Sequence, residues 1–328
     1  MSTPAQHDRR PAQAPGAPIS PAANRRMLVV VNPHATTVSD ELRELVLYAL
    51  QGRYDLDAVD TEARGHATEL CRQAASEEYD VVVTFGGDGT VNEAANGLAG
   101  SDTPLCCLPG GSANVFAKLL GIPADIIDAT EHLLSLAESW RVRPVDLGTV
   151  NGRCFTFASG VGLDASVVQR VDANPHMKAR LGAYYFTWIA IGTFTRRYLR
   201  KPPRMEVCVG GQTLAGVTAI VQNGSTYTYF NNHPIHIAEG ATLDSGTLAG
   251  GVLRHATPLS GTSIAWRALS TRARVTRQRQ VSGFQGVREL TVRTTDGRPL
   301  PLQVDGDYLG DFAEAHYSIL PRGLNVVA

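Results

Sequence analysis

The sequence of 328 residues predicts two folded domains. An N-terminal α/β domain on a doubly wound parallel sheet spans 27–143, and a β-rich, sandwich-like second domain spans 144–328. Three observations predict this. β-Branched runs alternate with segments of helical spacing over the first part, and two glycine-rich turns follow directly on two of those runs. Beyond Arg143, short β-rich segments take over.

Residues 1–26 are rich in Pro, Ala and polar side chains, carry Arg9, Arg10, Arg25 and Arg26, and lack the apolar core of a secretory signal. They are expected to be a disordered tail. MLVVV (27–31) is the kind of run that a parallel strand buried on both faces requires, and Asn32-Pro33 ends it. In DELRELVLYALQ (40–51), Leu42, Leu45, Val46 and Ala49 repeat at helical spacing, and Asp40 stands where a cap is needed. A strand is expected at 56–59, a helix at 66–75, and a strand at 80–85 that runs into Gly86-Gly87-Asp88-Gly89-Thr90. A helix then starts near Val91, and a strand at 105–108 meets Pro109-Gly110-Gly111-Ser112. In open sheets of this class ligands sit beyond the carboxyl ends of the strands, where both glycine-rich turns fall. The second domain is expected to hold strands at 154–159, 205–209, 216–223, 246–253, 289–294 and 302–306, with one helix at 179–198.

Lys and Arg number 30 against 31 Asp and Glu, so no global field draws the chain to nucleic acid or to an anionic membrane. Five cysteines, at 71, 106, 107, 154 and 208, form no CxxC pair and no metal-ligand spacing. They predict reduced thiols in a cytosolic protein, packed as small core residues. The longest apolar stretch, 181–194, is too short for a membrane span.

TFGGDGTVNEAANGL (84–98) carries the strongest chemical signal. Gly86, Gly87 and Gly89 remove side chains where the backbone must turn and approach a bulky anion. Their N–H groups, with the N-terminus of the following helix, form a pocket for phosphate oxygens. A carboxylate amid those donors repels phosphate unless a cation bridges them, so Asp88 implies Mg²⁺ or a Mg²⁺-bound water. Thr90 and Asn92 can add side-chain hydrogen bonds. The plainer alternative is a strand-to-helix turn capped by Asp88 and Thr90. In LPGGSANVFAK (108–118), Pro109 stops the strand, Gly110 and Gly111 permit close approach, and Ser112 and Asn114 supply polar contacts.

Together these residues resemble the diacylglycerol kinase catalytic family, which includes soluble bacterial diacylglycerol kinases and sphingosine kinases. The resemblance runs from Met27 through essentially the whole chain. Asn32-Pro33 is similar to the family's N-P opening, and Thr61 stands at its small-hydroxyl position. Gly86 through Asn92 match GGDGTxN. Gly111-Ser112-Ala113-Asn114 matches GTxN, with Ser112 in the threonine position and Val115 where many members carry Asp. The resemblance implies ATP held by Asn32, Thr61, Gly86, Gly87, Asp88, Gly89, Thr90, Asn92, Gly111, Ser112 and Asn114.

Val145-Asp146-Leu147-Gly148 resembles the family's D-L-G segment, whose Asp is implied to join a water-and-Mg²⁺ network. FASGVGLD (157–164) looks like the glycine-rich opening of its second domain. Asp305-Gly306-Asp307 resembles D-G-E, whose third residue is implied to be the general base. A carboxylate one methylene shorter can still accept a hydroxyl proton within ~3 Å. As residues alone, Asp-Gly-Asp also reads as a hairpin turn. Leu243-Asp244-Ser245-Gly246-Thr247-Leu248 resembles L-D-D-G-x-L, where relatives hold a structural Mg²⁺ on the second Asp and flanking carbonyls. Ser245 is a poor ligand for a hard dication, and both a substitute role for Asp244 and loss of the metal stay open.

The implied activity is ATP- and Mg²⁺-dependent phosphorylation of a lipid hydroxyl, diacylglycerol first, with Asp307, Asp88 and Asp146 as catalytic residues. The implied setting is cytoplasmic with transient peripheral membrane contact, no nucleic-acid partner, and a homodimer allowed. A loop with Tyr227, Tyr229, Phe230, His233, Pro234 and Ile235, or the basic run Arg267, Arg272, Arg274, Arg277 and Arg279, could meet the bilayer. Ordinary loop packing and a solvated charged face are the alternatives. The rivals are an NAD kinase-like enzyme, a sphingoid-base kinase, and a non-catalytic nucleotide- or lipid-binding pseudokinase.

Overall fold

The computed structural model describes residues 25–137, 140–172, 189, 192–193, 198, 202–230, 233–270 and 273–328. Most of the expected tail, most of the helix expected at 179–198, and Arg272 lie outside the described residues.

The β-branched runs become β1 (Arg25–Val31), β2 (Tyr54–Asp60), β3 (Val81–Gly86) and β4 (Leu105–Pro109), parallel in the order β2-β1-β3-β4. Met27 pairs with Val81 and Val31 with Phe85, while Val83 pairs with Cys106. Val29, Val30, Val31, Val82 and Val83 are fully buried, as strands packed by helices require. β1 begins two residues before Met27. Arg25 lies 5.1 Å over the Trp140 ring and Arg26 4.2 Å over Tyr79, so two residues expected in the tail are held in the sheet by cation–π contact.

The helices are α1 (Asp40–Gln51), α2 (His66–Ser76), α3 (Asp88–Leu98), α4 (Val115–Leu120) and α5 (Ile126–Leu136). Ser39, not Asp40, caps α1 by accepting from Leu42 N–H at 3.2 Å. α3 starts three residues earlier than the sequence suggests. Gly87 caps it in extended conformation with no side-chain bond, which makes Asp88 and Gly89 its first two residues. α4 and α5 were not anticipated, although Asp125 caps α5 by accepting from Ile127 and Asp128 N–H.

β5 (Val142–Val150), β6 (Arg153–Phe155), β7 (Ala158–Val161) and α6 (Leu163–Asp172) open the second part. β8 (Met205–Val209), β9 (Gln212–Gly216), β10 (Thr218–Gln222), β11 (Thr228–Phe230), β12 (His233–Ile235) and β13 (Leu248–Leu253) follow. Then come α7 (Pro258–Leu269), β14 (Val281–Val287), β15 (Glu289–Thr294), β16 (Leu300–Val304), β17 (Asp307–Phe312) and β18 (Glu314–Val327). An antiparallel six-stranded sheet, β14-β13-β10-β7-β16-β17, packs on strands of the larger sheet. Phe155, Val161, Val207, Leu248, Val292 and Tyr317 share the core between them, the sandwich expected from the closely spaced strands.

β18 ties the two parts together. It pairs antiparallel with β15 and β5, and Val326 pairs in parallel with Leu105 of β4, so one sheet of ten strands runs through both parts. Tyr317 lies in the second core, whereas Leu324, Val326 and Val327 lie in the first. The crossing falls at an irregularity between Leu320 and Leu324, where Arg322 has φ 53°.

Candidate active site

β3 and β4 are neighbours, so the two glycine-rich turns meet at their carboxyl ends. A Cβ on Gly111 would stand 2.6 Å from Gly87 Cα, and one on Gly110 3.0 Å from Gly86 Cα. Gly110 N–H donates to Gly86 C=O at 2.8 Å. The glycines are therefore demanded first by contact between two backbones. Asn114, left-handed at φ 48°, brackets Gly111 by accepting from its N–H at 2.9 Å and donating to its C=O at 2.7 Å. Asn32 donates to Thr90 Oγ1 at 3.1 Å, and Thr61 N–H, just past β2, donates to Val31 C=O at 2.8 Å. Ser112 is exposed, its Oγ 3.4 Å from Thr36 Oγ1. Because no side chain caps α3, its first amides form a positive end suited to an anion.

Asp88 is half-buried, and its Oδ1 accepts from Phe116 N–H at 3.2 Å, bridging α3 to α4. Burial pushes its carboxyl up to about 6, opposed by amide hydrogen bonds from Val115 and Phe116. Lys118 stands 4.3 Å from the centroid of Tyr229. Burial draws its ammonium below the ordinary value, and Asp88 acts in the opposite direction. Sequence reasoning passed over Lys118, one of only three lysines in the chain and the end of the second glycine-rich segment.

Besides Tyr229, the second part reaches this surface through the β16–β17 hairpin. Asp305 and Gly306 join β16 to β17 with φ 47° and 87°, the left-handed pair that a tight two-residue turn requires. Asp-Gly-Asp is thus a hairpin turn, and the turn brings Asp307 to α3. A Cβ on Gly89 would stand 3.0 Å from Asp307 Oδ2. Arg64 Nη2 lies 4.0 Å from the same oxygen and 3.1 Å from Tyr308 C=O, a contact with no forerunner in the sequence reading.

Asp305 anchors the hairpin. It is 4% exposed and accepts from Thr156 N–H (2.6 Å) and Oγ1 (2.9 Å), Phe157 N–H (3.0 Å), Ala158 N–H (3.1 Å) and Asn92 Nδ2 (2.8 Å). Burial raises its carboxyl, and those donors counter the shift. Asn92 is wholly buried, donates also to Cys154 C=O at 3.0 Å, and accepts from Arg153 Nη2 at 2.8 Å. Its amide joins α3 to the second part and presents nothing to the glycine loops.

Asp146 spends both its carboxylate oxygens on backbone amides. It is 3% exposed, and its two oxygens accept from Arg322 N–H at 2.8 Å and Gly246 N–H at 2.6 Å. It therefore braces the crossing of β18 against the turn 242–247. In that turn Ser245 Oγ reaches Thr242 C=O at 3.1 Å and Thr247 C=O at 3.0 Å, while Asp244 accepts from Thr242 Oγ1 at 2.8 Å. A hydroxyl hydrogen already serves the carbonyls that a cation would need, and Asp244 is turned to a side-chain hydroxyl. This donor set does not fit a carboxylate-held structural Mg²⁺. Among the described residues, no three His, Cys, Asp or Glu side chains converge on a metal position.

The geometry thus gathers two glycine loops, Asp88, Lys118, Arg64 and Asp307 on one surface, while Asn92 and Asp146 are engaged in buried hydrogen bonds that brace neighbouring elements. Residues 26–150 match the model of the diacylglycerol kinase catalytic domain. A diacylglycerol kinase of Bacillus subtilis strain 168 is 33% identical over 168 residues, covering 49% of this chain and 54% of that protein. A diacylglycerol kinase of Staphylococcus aureus strain JH9 is 33% identical over 135 residues, 40% of this chain and 42% of that one. The chain spans about half the length of the curated relatives it matches. The crystal structure of a diacylglycerol kinase from Bacillus anthracis strain Sterne superposes with a TM-score of 0.68 at 21% identity, over 92% of this chain and 96% of that one. At that identity the superposition speaks for the fold. Residues 26–150 are therefore similar to a diacylglycerol kinase catalytic domain, in a chain that shares the two-part fold of a solved diacylglycerol kinase.

Proposed function

We propose that the chain is an ATP-dependent lipid kinase that moves the γ-phosphoryl group of ATP to a lipid hydroxyl, with diacylglycerol as the first candidate and phosphatidic acid as its product. The observation that carries this reading is the approach of Asp307 to Gly89, which sets a carboxylate from the second part against the first turn of α3. The triphosphate lies on the glycine loops and the α3 amides, and the lipid hydroxyl enters from the side of the second part. Asp307 takes the hydroxyl proton as that oxygen bonds to the γ-phosphorus and the bond to the β–γ bridging oxygen breaks, releasing ADP. Arg64, on the same side, offsets phosphate charge. Asp88 has the chemistry to hold an ATP-bound Mg²⁺, which would neutralise charge on the transferring group. Positioning and charge neutralisation do most of the work in such transfers, which suits a surface of amides, two cations and two carboxylates.

The test is transfer of label from γ-labelled ATP to a panel of lipid alcohols in mixed micelles. A labelled product that extracts into organic solvent, and that Asp307→Ala does not make, is the expected result. Label confined to a water-soluble product would favour an NAD kinase-like activity. ATP binding with no transfer to any lipid would make the chain a pseudokinase.

A further inference from the structure

α7 has two apolar faces. Pro258 at its first turn and the reciprocal Thr257–Ser260 capping bonds start it firmly. Inward, Ile264 and Ala268 pack on Val217, Leu253, Val275 and Val281. Outward, Leu259, Trp266 and Leu269 are 82%, 64% and 50% exposed. Positions seven and ten residues apart lie within about 80° of each other around a helix, so these three form one stripe. The inner face suffices to seat the helix, and the outer one leaves a Trp and two Leu in water.

The surrounding charge says what the stripe meets. Residues 245–288 contain no Asp or Glu but seven Arg and one His, in a chain whose net charge is −1. Arg274 is paired with Glu239 at 2.7 Å, while Arg277 and Arg279 are exposed. The turn Val275–Arg277 packs against α7. α1 supplies the contrast. Its Leu45 and Tyr48 are 54% and 78% exposed, but they stand among Glu41 and Glu44.

We propose that the outer face of α7, with Arg277 and Arg279 beside it, docks onto an anionic lipid surface. Leu259 and Leu269 enter the acyl boundary, Trp266 sits at the polar–apolar boundary, and the arginines face the headgroups. α7 packs on β12, whose partner β11 places Tyr229 under Lys118 next to the second glycine loop. Docking therefore holds that hairpin and the neighbouring site over the membrane. That this delivers a lipid alcohol to Asp307 rests on the kinase reading, whereas the docking itself does not.

The test is co-sedimentation of the full chain, without nucleotide, with vesicles of phosphatidylcholine alone or mixed with phosphatidylglycerol. Binding is expected on the anionic vesicles only. It should weaken about tenfold or more in the pair Leu259→Gln/Trp266→Gln, and likewise in Arg277→Gln/Arg279→Gln, since each arginine near such a surface contributes about fivefold. The pair Leu45→Gln/Tyr48→Gln on α1 should bind as the parent does. Equal binding to both vesicle types, loss only in the α1 pair, binding untouched by both α7 pairs, or capture of single-stranded RNA in place of vesicles would each overturn the assignment. Phosphorylation of a water-soluble short-chain diacylglycerol, followed alongside, should be the same in the α7 pairs as in the parent. If the parent lacks that activity, the kinase reading falls and the vesicle result stands.

Discussion

The glycine loops of the parallel sheet and the hairpin tip of the second sheet meet at Gly89, and they are built on opposite rules. The loops come together because side chains are missing: Gly86 and Gly87 lie backbone to backbone against Gly110 and Gly111. The tip is held because a side chain is present, with Asp305 gathering five hydrogen bonds in a buried setting. The loops therefore tolerate no added atoms and the tip tolerates no lost partner. Two residues beyond that anchor stands Asp307, the proposed base, against Gly89.

The largest effect is expected at the tip's reacting end. Asp307→Ala should lower turnover by ~10²–10⁴ while ATP affinity and the unfolding midpoint stay nearly unchanged, because a positioned base acts on the transition state. A matching loss of ATP affinity would instead place the tip within the phosphate cradle. Asp305→Ala should do the converse. Removing a buried carboxylate leaves three amides, Thr156 Oγ1 and Asn92 without their acceptor, and roughly 3 kcal/mol of stability should go, read by denaturant unfolding. Gly111→Ala tests the loops' rule: forcing a methyl to within 2.6 Å of Gly87 Cα should weaken ATP binding together with stability, by about 1–3 kcal/mol. Unchanged unfolding in that variant would show that the loops are not in contact.

A smaller effect concerns Asp88. Burial pushes its carboxyl up to about 6, so the folded chain keeps a proton that the unfolded chain gives up near its ordinary, lower value. The parent therefore loses stability as pH rises through that window, and the deficit is complete above about 6. Asp88→Asn cannot ionise and should gain on the order of 1 kcal/mol over the parent at pH 7, with no gain at pH 3, while losing turnover. Denaturant unfolding at both pH values reads the sign, and equal stability at pH 7 would contradict it. The smallest effect lies at the 242–247 turn. Melting of the parent should be indifferent to EDTA, whereas Ser245→Asp should melt lower in EDTA and recover by a few degrees with Mg²⁺. EDTA-sensitive melting of the parent would restore a metal to the 242–247 turn.

Legibility in the sequence followed the range of the interactions. The strands around Val29 and Val83 could be read because burial on both faces demands β-branched runs, and the glycine loops because backbone crowding is written locally. α5 could have been read, since Ala129 and Leu133 repeat inward behind the Asp125 cap, but the composition there is less apolar than in the strands. β18 could not. Its pattern is interrupted at Pro321–Gly323, and its two halves serve cores that are separate in sequence. Asn92 could be seen as polar in the right motif, but its burial depends on Arg153, Cys154 and Asp305, which only the fold brings to it. Asp146 was legible as an important carboxylate, and its partners, the amides of Gly246 and Arg322, were invisible because any residue supplies an amide. α7 itself was not anticipated, since the sequence predicted one helix, at 179–198, in the second domain, and the exposure of its outward stripe is a property of the packed helix.

The convergence of loops and tip is tested most directly by a crystal structure with a non-hydrolysable ATP analogue. The β- and γ-phosphates are expected on the Gly87–Gly89 amides at the start of α3, with the γ-phosphate facing Asp307 and room between them for one hydroxyl oxygen. A triphosphate bound elsewhere, or a γ-phosphate turned away from the hairpin tip, would contradict it.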